Sequence, residues 1–156
     1  MLIPMKKKLN FGLMVISCLI LMSACSQDDS STPNMSSADQ TASIAQSGTW
    51  GITYFYDTDK DETANFNGYV FTFNSNGTLN ASRSNNQVNG AWSVSNSSSS
   101  SNSNGHFNIA FQVSKDSDFD DLNDDWDIIS VSDNKIELTD VSGGNGGTDF
   151  LTFTKN

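Results

Sequence analysis

Apolar and polar residues alternate over short stretches from about Gly48 to Lys155, and clusters of Asn, Gly, Asp and Ser break the alternation. A period of two belongs to antiparallel strands with one buried face and one solvated face. It predicts strands at Thr49–Tyr56, Gly68–Asn74, Thr78–Ser84, Val88–Ser95, His106–Ser114, Trp126–Ser132, Lys135–Val141 and Asp149–Thr154. The fifth is the clearest: Phe107, Ile109, Phe111 and Val113 share one face, and Asn108, Gln112 and Ser114 the other. The fourth places Val88, Trp92 and Val94 together, and the first does the same with Trp50, Ile52, Tyr54 and Tyr56. Asn76-Gly77 takes positive φ readily and predicts a tight hairpin; Asp133-Asn134 is a weaker turn signal. Gly143 to Gly147 reads as a loop, and the low-complexity run Ser97–Asn104 as a long hairpin loop between the fourth and fifth strands. Short links between eight strands favour an all-β antiparallel meander that closes into a small barrel, with a β-sandwich as the alternative. Closure would remove exposed sheet edges.

The first twenty-five residues follow a different pattern. Lys6, Lys7 and Lys8 precede an uncharged, mostly apolar run from Leu13 to Met22, and the small residues Ser23 and Ala24 follow. This is the layout of a secretory signal, with a run too short to span a bilayer. The segment Leu21-Met22-Ser23-Ala24-Cys25 resembles the lipobox of bacterial lipoproteins. The resemblance implies cleavage of residues 1–24 and lipid attachment at Cys25, with more than one acyl chain and hence durable anchoring. Ser26-Gln27-Asp28-Asp29-Ser30 resembles the acidic export signal of Bacteroidota surface lipoproteins. That implies an outer-membrane, cell-surface location. Residues 25–47 then form the lipidated cysteine and a linker. Its Ser/Asp/Gln-rich composition predicts disorder, with a reach of about 25 Å.

Charge and cysteine content narrow the partners. Three of the eight basic residues leave with the signal, and none of the eighteen acidic ones does, so the mature chain carries five against eighteen, a balance of −13. Such a chain repels nucleic acid. The second cysteine, Cys18, lies in the signal. The domain over 48–156 therefore depends on its core, not on disulfides. A monomer is expected, tied to the membrane through its lipid.

Gly48-Thr49-Trp50 resembles the opening motif of lipocalins, and the wider pattern resembles the lipocalin-like domains of Bacteroidota lipoproteins. The matching pieces include Phe66-Asn67-Gly68-Tyr69, Asn76-Gly77-Thr78, Val88-Asn89-Gly90-Ala91-Trp92-Ser93 and Leu151-Thr152-Phe153-Thr154-Lys155. The resemblance implies an eight-stranded barrel with Lys155 over Trp50, where lipocalins carry an arginine. It also implies a ligand- or partner-binding role. The strands are short, roughly 23 Å each. The inward candidates are bulky: Trp50, Tyr54, Phe71, Phe73, Trp92, Phe107, Phe111, Trp126 and Phe153. That volume predicts a largely filled interior, so the fold does not imply lipid carriage.

Two acidic runs are candidate chemistry. Asp57, Asp59 and Asp61 alternate in the first; Asp118, Asp120 and Asp124 belong to the second. Carboxylates so spaced can converge on calcium and could together form an acidic mouth. The first run is not an EF-hand, because Glu62 stands at the required glycine and Gly68 at the distal glutamate. No catalytic residue is assigned. His106 is the only histidine, and no nucleophile-elbow, P-loop, dinucleotide or zinc spacing occurs. Two functions compete: a surface binding module for a small hydrophobic molecule or a protein, and a structural or adhesive envelope protein with calcium-stabilised loops. An open apolar mouth would favour the first, and a plugged barrel with ordered acidic loops the second.

Overall fold

The computed structural model describes residues 37–97, 104–141 and 147–156. The signal peptide, Cys25, and most of the expected Ser/Asn and glycine loops lie outside the described residues.

The alternating segments form an antiparallel meander: Thr49–Asp57 (β1), Lys60–Asp61 (β2), Val70–Phe73 (β3), Thr78–Arg83 (β4), Asn86–Ser95 (β5), His106–Phe111 (β6), Asp124–Ser132 (β7), Lys135–Val141 (β8) and Thr148–Lys155 (β9). Neighbours pair in the order β1-β3-β4-β5-β6-β7-β8-β9, and β9 pairs back onto β1 from Trp50↔Lys155 to Tyr56↔Phe150. Eight strands thus close a barrel, and the two-residue β2 is an added strand on β1. At the Asn74–Thr78 hairpin Gly77 has φ 80°, and its N–H donates to the Asn74 carbonyl.

The interior is packed with aromatic rings. Phe73 lies 5.2–5.4 Å, centroid to centroid, from Trp92, Phe107 and Phe153, edge-on to each. Trp50, Phe55, Phe71, Phe107 and Phe153 are fully buried. Of the expected inward residues, Tyr54 alone faces outward. The β1–β9 register shifts between Ile52 and Tyr54. Such a bulge inserts one residue and inverts the alternation beyond it. Phe55 therefore enters the core at 0% exposure, while Tyr54 is 41% exposed and stacks beside Tyr56 on the outer wall. A second bulge in β7, between Ile128 and Ser130, leaves Ile129 outside. Asn104 Nδ2 donates to the carbonyls of Ile128 and Ile129 there.

Residues 37–46, expected within the disordered linker, instead form a helix, Ser37–Gln46 (α1). Ordered structure therefore already covers residues 37–46, ahead of Gly48. Ala38, Thr41 and Ala45 line its buried side. That stripe repeats every three to four residues, but it is made of small residues and hides within a polar composition. Asn96 Oδ1 accepts from Ser37 Oγ at 2.9 Å and from the Ala38 N–H at 3.2 Å, capping the helix from the barrel. Trp50 Nε1 donates to the Ala45 carbonyl at 2.8 Å. The helix thereby packs on the end of the barrel where β1 begins.

Lys155 takes the expected place beside Trp50. Its Nζ is 5.7 Å from the indole centroid and donates to Ser47 Oγ at 2.8 Å. Lys155→Ala is expected to cost about 0.5–1 kcal/mol through the lost cation–π contact. Lys155→Arg should recover most of it, and urea denaturation of the three proteins measures both.

Candidate functional site: the acidic end of the barrel

Among the described residues, two links cover the opposite end. Between β1 and β3 the chain forms β2 and a 3₁₀ turn, Thr63–Phe66, which drops Phe66 into the barrel. Thr63 holds the turn in place, its Oγ1 accepting from the Phe55 N–H at 2.8 Å. Between β6 and β7 the link supplies Phe119 and Leu122. Phe119 meets Phe66, Tyr69 and Phe111 edge-on at 5.4, 5.0 and 4.9 Å. Asn123 pins this link. Its amide donates to the Phe111 carbonyl at 3.1 Å, and its Oδ1 accepts from the Phe111 N–H. Arg83 covers Tyr69, with Cζ 4.2 Å above the ring. An apolar plug thus stands where a ligand mouth would open.

Outside this plug the two acidic runs meet, as the sequence predicted. Carboxylate oxygens of Asp57, Glu62 and Asp121 lie within 4.8 Å of one another. Of the expected metal-ligating set, Asp57 alone belongs to this group. Asp59 is exposed beyond it. Asp61 Oδ1 accepts from the Thr63 N–H at 3.0 Å, Asp118 Oδ1 from Asn65 at 3.2 Å, and Asp120 Oδ1 from Asn123 at 3.1 Å. These three carboxylates tie down loop backbone and side chains. Asp124 opens β7, and its neighbours are Asp125, Asp140 and Asp149. Glu62 and Asp121 were outside the expected set. The turn brings Glu62 back, its N–H donating to the Phe55 carbonyl at 2.9 Å, and barrel closure brings in Asp121.

The charges at this end disfavour one another. Partial burial, then Asp57, Glu62, Asp120 and Asp118, push the Asp121 pKa up. Burial, then Asp140, Asp125 and Asp149, push Asp124 up against the opposing bond from the Asp125 N–H. All-oxygen donors suit a hard cation. The Lys60 ammonium, however, already pairs with Glu62 and faces Asp118 and Asp121, supplying positive charge within the cluster. Asp121→Asn is expected to raise stability at neutral pH by a few tenths of a kcal/mol, as befits an exposed site. A raised folded-state pKa means the charged form weakens the fold, so stability is lost as pH rises through it. The gain should therefore vanish below the ordinary aspartate range, where Asp121 is neutral anyway, and shrink in high salt. Thermal melts at two pH values and two salt concentrations measure this.

His106 lies on the outer wall between β6 and β7. Its Nδ1 is 3.2 Å from Asp127 Oδ1 and 3.8 Å from Asp125 Oδ2, in an arrangement set by the His106↔Asp127 pairing. Nδ1 itself is shielded from solvent and has no properly aligned hydrogen-bond partner.

Fold and site together define a closed, internally filled β-barrel with an acidic end. No known family profile matches this chain, and no curated protein matches it. Among solved structures it is similar to a DUF4847 family protein from Bacteroides vulgatus ATCC 8482, at 20% identity and a TM-score of 0.45, over 73% of this chain and 96% of that one.

Proposed function

We propose that this chain is a lipid-anchored, surface-exposed envelope protein whose barrel engages a macromolecular partner through its outer surface. The observation that supports this is the filled barrel. Phe71, Phe73, Phe107 and Phe153 occupy the interior, α1 packs at one end, and Phe66, Phe119 and Leu122 occupy the other. Such a barrel serves as a rigid presenting body and has no room to carry a lipid inside. A binding role without chemistry fits the absence of a nucleophile motif in the sequence. Anchoring rests on Cys25 and its surroundings. Cys25→Ala is the test: the variant should lose all incorporation of a labelled fatty acid and keep its uncut signal, seen as a larger mass, and protease added to intact cells should degrade the wild-type domain.

One observation favours a second reading, a small apolar ligand. A cleft of about 350 Å³ lies between α1 and β7, lined by Ile44, Ile128, Ile129 and Val131 together with the polar Ser37, Gln40 and Thr41. A fluorescent fatty-acid probe separates the two readings. Saturable binding abolished by Ile129→Asp, an exposed position outside the core, would establish the cleft as the site. No saturable binding would leave the outer surface as the place of recognition.

A further inference from the structure

The two ends of the barrel differ sharply in charge. Twelve carboxylates belong to the loops and strand ends at the plugged end, against Lys60, Arg83 and Lys115. The α1 end carries Asp39, Asp133 and Glu137 against Lys135, which pairs with Glu137 at 2.8 Å, and Lys155. One end is thus strongly anionic, and the other is close to neutral.

The chain enters the domain at the neutral end. Ser37 opens α1, and Asn96 at the end of β5 fixes that point to the barrel. Eleven residues separate Cys25 from Ser37, a stretch that spans at most about 40 Å when fully extended. Strands of nine residues, tilted as in a closed barrel, put the ends about 20–25 Å apart. The tether could therefore reach either orientation, and charge decides between them. A surface of anionic lipid acts over a Debye length of about 8 Å at physiological salt. With the α1 end down, the anionic end stands well beyond that layer. Turned over, it would sit within it.

We infer that the α1 end of the barrel is the surface that faces an anionic membrane, and that the acidic end is held outward. This rests on the lipid anchoring at Cys25 proposed above. The occupant of the α1 end is the lipid headgroup layer. Recognition of any soluble partner then falls to the acidic end and the outer wall.

The test uses the full lipidated chain in vesicles of phosphatidylethanolamine and phosphatidylglycerol that contain a headgroup-attached quencher. With Cys25 lipidated and Cys18 removed with the signal, the domain has no other thiol, so single cysteines can carry a fluorophore. Asp133→Cys marks the β7–β8 turn at the α1 end, and Asp116→Cys marks the β6–β7 link at the far end; each removes one carboxylate. Quenching should be at least about twofold stronger at Asp133→Cys, given a far end some 20 Å further from the headgroups. The contrast should fall when phosphatidylcholine replaces phosphatidylglycerol or when salt is high. Equal or reversed quenching in proteins that co-float with the vesicles overturns the orientation alone. Failure of the wild type to co-float overturns the anchoring, and the orientation with it.

Discussion

Trp50→Ala is expected to lower the stability of the domain by about 3–5 kcal/mol, the usual range for removing a buried tryptophan. Trp50 is fully buried at the start of β1. It is also where three parts of the molecule meet. Its backbone pairs with Phe71 of β3 and Lys155 of β9, closing the barrel. Its indole N–H holds the Ala45 carbonyl near the end of α1. Its ring lies beneath the Lys155 ammonium. The β1–β3 ladder has only two pairs, Thr49↔Thr72 and Trp50↔Phe71, so the seam has little else to hold it. The alanine variant should therefore lose α1 docking as well as core volume. Trp50→Phe is the informative control. It keeps most of the ring volume and leaves the Ala45 carbonyl without its donor, which costs about 1–3 kcal/mol for a buried group. Urea denaturation gives both differences, and limited proteolysis within residues 37–46 reports whether the helix has come away.

What the sequence revealed follows from which forces act locally. Strands with a clean period of two were placed to within a few residues: Lys135–Val141 was expected and found, and Thr49–Tyr56 became Thr49–Asp57. The bulge in β1 was not visible, because Tyr54, Phe55 and Tyr56 are all aromatic and alternation cannot say which one turns inward. Helix α1 was missed because its buried residues are Ala38, Thr41 and Ala45, too small to mark a face. What holds it is tertiary, through Asn96 and Trp50. The acidic end was legible as a convergence of two runs, but not in its members. Local spacing suggested Asp59 and Asp61, whereas the chain reversal and the closure of the barrel chose Glu62 and Asp121. Local sequence does not encode contacts made across about sixty residues.

Gly105→Ala is expected to be the most damaging single change outside the core. Gly105 has φ 107°, a region that L side chains rarely adopt. Holding a non-glycine residue in such a region costs about 1–3 kcal/mol. Space adds to this, because a Cβ here would overlap the carbonyl oxygen of Ser95 on the neighbouring strand. The nearest atoms all belong to the Ser95–Asn96 backbone, so no flexible side chain is there to yield. The position also anchors its surroundings. The Gly105 carbonyl accepts from the Ile128 N–H at 3.0 Å, Asn104 beside it satisfies the β7 bulge, and Asn96, next to Ser95, caps α1. Gly77→Ala separates conformation from overlap. Gly77 also has positive φ, 80°, but the nearest atom to its Cβ position is the Trp92 carbonyl oxygen at an ordinary 3.6 Å. It should show the conformational cost alone, about 1 kcal/mol or slightly more. If overlap at Ser95 matters, Gly105→Ala must lose clearly more than Gly77→Ala in the same denaturant series. It should also loosen α1, seen as faster amide exchange in residues 38–46. Equal losses at the two glycines, with α1 exchange unchanged, would mean that β5 and β6 can part at this end without disturbing the helix.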